Sequence, residues 1–235
     1  MVTDTTTGDI TVGNDNTTTD TGERGFSFTT FATASDLEVK FDEDDDSIND
    51  AHVIDIDDAD DTDNVEIFSF EIEIEGDSDV TMDDLPVDFY SVGADVDELV
   101  SSVSLWYDGD EIATENMTIA ATNGTTTFDD LDLELEAGET HKFVVKADFE
   151  PTSANNVDNG DTIQALISSA NRGNADLEDE TGENVASGDR TGTATGEAHA
   201  IYDSGIMVDY VSKDAYKSFT ADEAGERDSN LQVRI

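Results

Sequence analysis

Alternation of apolar and polar side chains at every second position governs the middle of this chain. The clearest run is Val65-Glu66-Ile67-Phe68-Ser69-Phe70-Glu71-Ile72-Glu73-Ile74, with one face apolar and the other mostly acidic. That period predicts a half-buried strand whose outer face meets water. The same grammar recurs at Leu37-Glu38-Val39-Lys40-Phe41, at 52–56, at 85–92, at Val103-Ser104-Leu105-Trp106-Tyr107, from Phe128 to Leu135, at 143–149, at 162–168 and at 198–202. No window of ten or more residues carries a helical period with caps, so helices are expected to be brief.

Turn chemistry punctuates these runs. Asp108-Gly109 between two alternating segments predicts a hairpin, and Asn123-Gly124 repeats the device. Ala137-Gly138-Glu139 and Asp158-Asn159-Gly160-Asp161 predict further turns, and 171–198 reads as loop. Short strands at regular spacing predict an all-β fold, an Ig-like or Greek-key antiparallel β-sandwich with strand-like terminal extensions.

The ends differ from the middle. Residues 1–24 are rich in Thr, Asp, Asn and Gly around a brief Ile10-Thr11-Val12, and Phe26-Ser27-Phe28-Thr29-Thr30-Phe31 alternates as a strand should. The division expected is an arm over 1–34, a sandwich over 35–202, and a linker with the first strand of a second sandwich over 203–235. An acidic loop leads into an alternating strand both at Ile56–Asp61 with Val65 and near Asp222 to Glu226 with Leu231 to Ile235, which suggests a repeat.

Charge then narrows the function classes. The 235 residues include 59 Asp and Glu against 10 Lys and Arg, a formal net charge of −49, so nucleic acid is not an expected partner. Such a chain repels itself unless counterions screen it, and at about 1 M salt the screening length falls to about 3 Å. Two causes fit this surface: adaptation to a salty medium, with acids spread everywhere, or binding of divalent cations, with acids clustered in loops. Both patterns occur. There is no cysteine, hence no disulfide and no thiolate site. No apolar run approaches the ~20 residues that span a bilayer, so no membrane insertion by this chain is expected.

The acidic clusters are Asp42 to Asp46, Asp55 to Asp63, Asp77 with Asp79, Asp95 with Asp97 and Glu98, and Asp176 to Glu180. Asp57, Asp58, Asp60, Asp61 and Asp63 form the candidate Ca²⁺ set, since calcium takes six to eight oxygens. None matches the EF-hand spacing, and solvated surface acids are the competing explanation. His52, His141 and His199 are far apart with no zinc spacing and read as strand histidines. Trp106 is expected in the core. No serine lies in a nucleophile elbow, and no cofactor constellation is present, so an enzyme is not expected. Asn16, Asn116 and Asn123 begin N-x-T sequons that suit a secreted protein.

Three phrases, Val103-Ser104-Leu105-Trp106-Tyr107-Asp108-Gly109-Asp110, then Thr127 to Leu133 with Leu135 to Thr140, and Ser204-Gly205-Ile206-Met207-Val208 followed by Phe219-Thr220-Ala221-Asp222, resemble repetitive S-layer-like or adhesin-like surface proteins of uncultivated small-genome bacteria and archaea. The resemblance implies tandem Ig-like sandwiches displayed outside the cell. The expected function is therefore a structural module of a cell-surface layer or filament that associates with copies of itself, or with tandem repeats, in high salt or with divalent cations. Donor-strand assembly would use Phe26, Phe28 and Phe31, or Leu231, Val233 and Ile235, to fill the sheet edge of a neighbour. The alternative is an adhesin or carbohydrate-binding module that recognises surface glycans through its loops.

Overall fold

The computed structural model describes residues 2–5, 9–12, 37–44, 47–153 and 157–203. The chain divides into Met1–Asp203 and Ser204–Ile235, and the second unit lies outside the described residues. So do Phe26, Phe28, Phe31, Leu231, Val233, Ile235 and Asn16.

Two short strands, β1 (Val2–Thr5) and β2 (Asp9–Val12), pair as an antiparallel hairpin. Then follow β3 (Glu38–Glu43), β4 (Val53–Asp55), β5 (Thr62–Glu75), β6 (Val80–Val92) and the single-turn helix α1 (Val96–Leu99). Next come β7 (Val100–Tyr107), β8 (Asp110–Asn116), β9 (Asn123–Phe128), β10 (Leu133–Leu135), β11 (Thr140–Phe149) and β12 (Thr162–Ile167). The helix α2 (Ser169–Asn174), β13 (Asp176–Asp179), β14 (Arg190–Gly192), β15 (Ala194–Thr195) and β16 (His199–Tyr202) complete the order.

The strands build an all-β sandwich. One sheet runs β14-β3-β5-β11-β7-β8, and the other runs β10-β6-β12-β16-β4 with β9, β13 and β15 attached. Their apolar faces share one core, because alternation sends Phe41, Phe68, Phe70, Ile72 and Phe143 inward from the first sheet and Met82, Leu85, Val87, Phe89 and Ile163 from the second. Phe70 and Phe143, directly opposite in register, stack with ring centres 5.0 Å apart. Burial of several aromatic rings, each contributing roughly 1.5–3 kcal/mol, supplies the driving force that the self-repelling surface opposes.

Four expectations are corrected. Two strand pairs, β14 with β3 and β16 with β4, are parallel, so both sheets are mixed rather than antiparallel. These partners are far apart in the chain, and no hairpin forces them to run in opposite directions. Residues 171–198 are not simply loop: they hold the end of α2 and three short strands, organised around Arg190. That side chain, 6% exposed, donates from Nε to Val185 O (2.9 Å) and from Nη1 to Ala175 O (2.6 Å). Asn123-Gly124 opens strand β9 instead of turning, and its glycine admits Ile119, which a Cβ would strike. Finally, Trp106 lies half-buried on the outer face of its sheet, where Lys146 Nζ sits 4.2 Å from the ring centre and the indole N–H donates to Ser104 Oγ. Leu105, its neighbour, takes the core position.

Candidate assembly face

The outer face of the first sheet and one end of the outer face of the second are chemically unlike, and strand register shows why; the other end of the second face carries Glu134 and Glu178, both opposite Thr81. On the first sheet the outward positions are Glu38, Lys40 and Asp42 of β3, Glu71 and Glu73 of β5, Lys142, Lys146 and Asp148 of β11, and Glu111 of β8. Ion pairs knit this face: Lys40 to Asp42 (3.0 Å), Lys142 to Asp44 (2.7 Å) and Lys146 to Glu66 (3.2 Å). The Lys40 ammonium holds the Asp42 carboxyl below its ordinary range.

The second sheet presents a row of uncharged side chains. Val92 stands opposite Thr162, Thr162 opposite Ala200, and Ala200 opposite Val53, so one line crosses β6, β12, β16 and β4. The adjacent row is Asn123, Tyr90 and Gln164. The exposed large apolar side chains among the described residues, Val53 (44%), Tyr90 (43%) and Val92 (70%), all belong to these two rows. Asp88 also points outward here, but its carboxylate accepts from Thr125 Oγ1 and Asn171 Nδ2. Asp55 lies at the β4 edge, opposite Tyr202.

The acids singled out from sequence are placed as follows. Asp57, Asp58, Asp60 and Asp61 occupy the loop between β4 and β5, and Asp63 is the second residue of β5. Asp57 Oδ1 accepts from the backbone N–H of Ala59 (2.8 Å) and of Asp60 (3.0 Å), which lowers its pKa and closes the loop on itself. Among the described residues no three Asp, Glu or His side chains converge as a ligand set for a metal ion.

Other acidic runs shape turns and buried joints. Asp44 is 8% exposed and accepts from Lys142 Nζ and Ser69 Oγ. Asp79 accepts from the Ala137 N–H, and Glu98 from the Asp95 N–H at the start of α1. Asp179 accepts from Thr181 and Glu183, and the Thr181 hydroxyl leads in lowering its pKa.

Acids that crowd one another lie elsewhere, around Asp84 and Glu115. Burial first, then the charges of Asp83, Asp176 and Asp129, push the Asp84 carboxyl up; burial and Asp129 do the same to Glu115. Sequence spacing hides this grouping: β13 sets Asp176 opposite Asp84, and β9, whose Phe128 stands opposite Leu85, brings Asp129 alongside.

Asn116, at the end of β8, and Asn123, at the start of β9, are both exposed. Asn123 belongs to the uncharged face. Among known protein families none matches the chain, and no curated protein matches it either.

Proposed function

We propose that this chain is a structural module of an extracellular surface layer or filament, which associates with copies of itself once concentrated salt or divalent cations screen its charge. The observation that supports the reading is an uneven distribution of charge: ion pairs and carboxylates dominate the outer face of one sheet, while one end of the other sheet's outer face, away from Glu134 and Glu178, carries neutral side chains and exposed Tyr90 and Val92. A chain of net charge −49 has no need of exposed valines for solubility, and a neutral, partly apolar face on such a chain suits contact with another molecule. Ca²⁺ would act by neutralising carboxylates, those of Asp57, Asp58, Asp60, Asp61 and Asp63 included.

Sandwiches of Ig-like type in tandem, linked by strand donation from Phe26–Phe31 or Leu231–Ile235 to a sheet edge, are the version of assembly we favour. Strands β4 and β8 end their sheets among the described residues and offer such edges. A second reading, glycan binding by a displayed adhesin, draws on Tyr90 between Asn123 and Gln164, an aromatic ring flanked by amide groups. Negative-stain electron microscopy in concentrated KCl, with Ca²⁺ and then with chelator, tests the first reading: ordered sheets or filaments support it, and dispersed particles in both conditions reject it.

A further inference from the structure

We infer that the neutral patch on the outer face of the second sheet, formed by the two rows that hold Tyr90, Val92, Thr162 and Gln164 and bordered by Asp88 and Asp55, is the surface through which one copy of this chain packs against the identical patch of another. This inference rests on the self-association proposed above and adds to the edge-to-edge strand donation favoured there a second, face-to-face contact, which together with it can extend an assembly beyond a dimer. Charge selects the occupant. Any contact that uses the first sheet's outer face brings Glu38, Glu71, Glu73 and Glu111 against a second strongly acidic molecule, and unscreened carboxylates then repel at close range. The Val92–Thr162–Ala200–Val53 row meets its own copy without a charge in the line. Two such faces related by a twofold axis bury the same patch on both partners, and no complementary surface has to exist elsewhere.

Size determines the strength. Four strands about 4.8 Å apart and two outward positions about 7 Å apart give a footprint of roughly 270 Å², about a third of the ~800 Å² per partner in a standard interface. A single contact is therefore weak. Overall repulsion dominates in dilute salt, and association appears when salt shortens its range or when tandem copies act together.

The chain has no cysteine, so a spin label can be placed at one introduced thiol in the full chain. Thr162→Cys labels the neutral face and Glu111→Cys the opposite outer face. In about 3 M KCl, where screening is within ~3 Å, dipolar broadening between molecules is expected at position 162 and not at 111. Val92→Glu should weaken association at least tenfold, and because Val92 is 70% exposed the variant should fold, as circular dichroism would check. Association with broadening at 111, or association indifferent to Val92→Glu, overturns this inference and leaves self-assembly standing. Monomers at every salt and protein concentration overturn both. Binding of an oligosaccharide that Tyr90→Ala abolishes, without self-association, overturns both in favour of glycan binding.

Discussion

The imidazole of His199, wholly buried, lies with its ring centre 4.2 Å from that of the exposed His52. His199 Nε2 is 2.8 Å from Ile67 O, a carbonyl that can only accept, so Nε2 carries the proton and bridges β16 of one sheet to β5 of the other. The remaining nitrogen, Nδ1, is buried with no hydrogen-bond partner. Around it stand His52, whose Nδ1 bonds Asp50 O, and Glu197, whose carboxylate accepts from the Ala51 N–H.

Acid is therefore expected to loosen the sandwich at this point. Burial, reinforced by His52 and opposed by the Ile67 carbonyl and Glu197, lowers the His199 pKa below its ordinary 6.5. The unfolded chain then binds the proton more readily than the folded one, so stability is full above about pH 6.5 and falls as the pH drops from there through the folded value. Denaturant melts between pH 8 and 5 should show this slope, and His199→Leu should flatten it; an unchanged slope in the variant would refute the assignment.

Gly192 cannot carry a side chain. Its φ is +73°, and a Cβ would collide with the Phe41 carbonyl oxygen across the parallel β14–β3 pair. Gly192→Ala is expected to cost about 3 kcal/mol or more, combining the left-handed backbone with a steric clash that must displace an edge strand. Urea titration checks it, and a cost under about 1 kcal/mol would contradict it.

Arg190 holds 171–198 together by donating to main-chain carbonyls, so Arg190→Met should leave Ala175 O and Val185 O without their donors. A loss of about 2–4 kcal/mol is expected. Hydrogen exchange should localise the damage to α2, β13 and β14.

Glu115 is a place where removing charge should help. Burial and Asp129 raise its pKa, so the proton binds the folded state more tightly, and the ionised group opposes folding at neutral pH. Glu115→Gln should stabilise by about 0.5–1 kcal/mol at pH 7. The gain should vanish below pH ~4.5, the ordinary value of the group, and shrink in concentrated KCl.

Local periodicity made most of the core readable. Val65 to Ile74 lies within β5 with Phe70, Ile72 and Ile74 inward as its alternation requires, and Asp108-Gly109 turns at φ +52° and +88° between β7 and β8. Period-2 patterning reports which face of a strand is apolar, yet says little where the residues flanking an apolar position are aromatic: Leu105, not Trp106, is the core residue. The parallel pairs and the Arg190 cluster were hidden because they join segments distant in sequence through backbone groups, which carry no side-chain signature. The neutral face was hidden for a related reason. Val53, Tyr90, Val92 and Thr162 are unremarkable in their own strands, and only the register places them in adjacent rows.

The most direct test of the account is sedimentation velocity of the chain at a series of protein concentrations in about 0.1 M and about 3 M KCl, where the screening length falls from ~10 Å to under 3 Å. The account predicts monomers in the dilute salt and larger species, growing with protein concentration, in the concentrated salt. Monomers in both, up to the highest concentration reached, would contradict it.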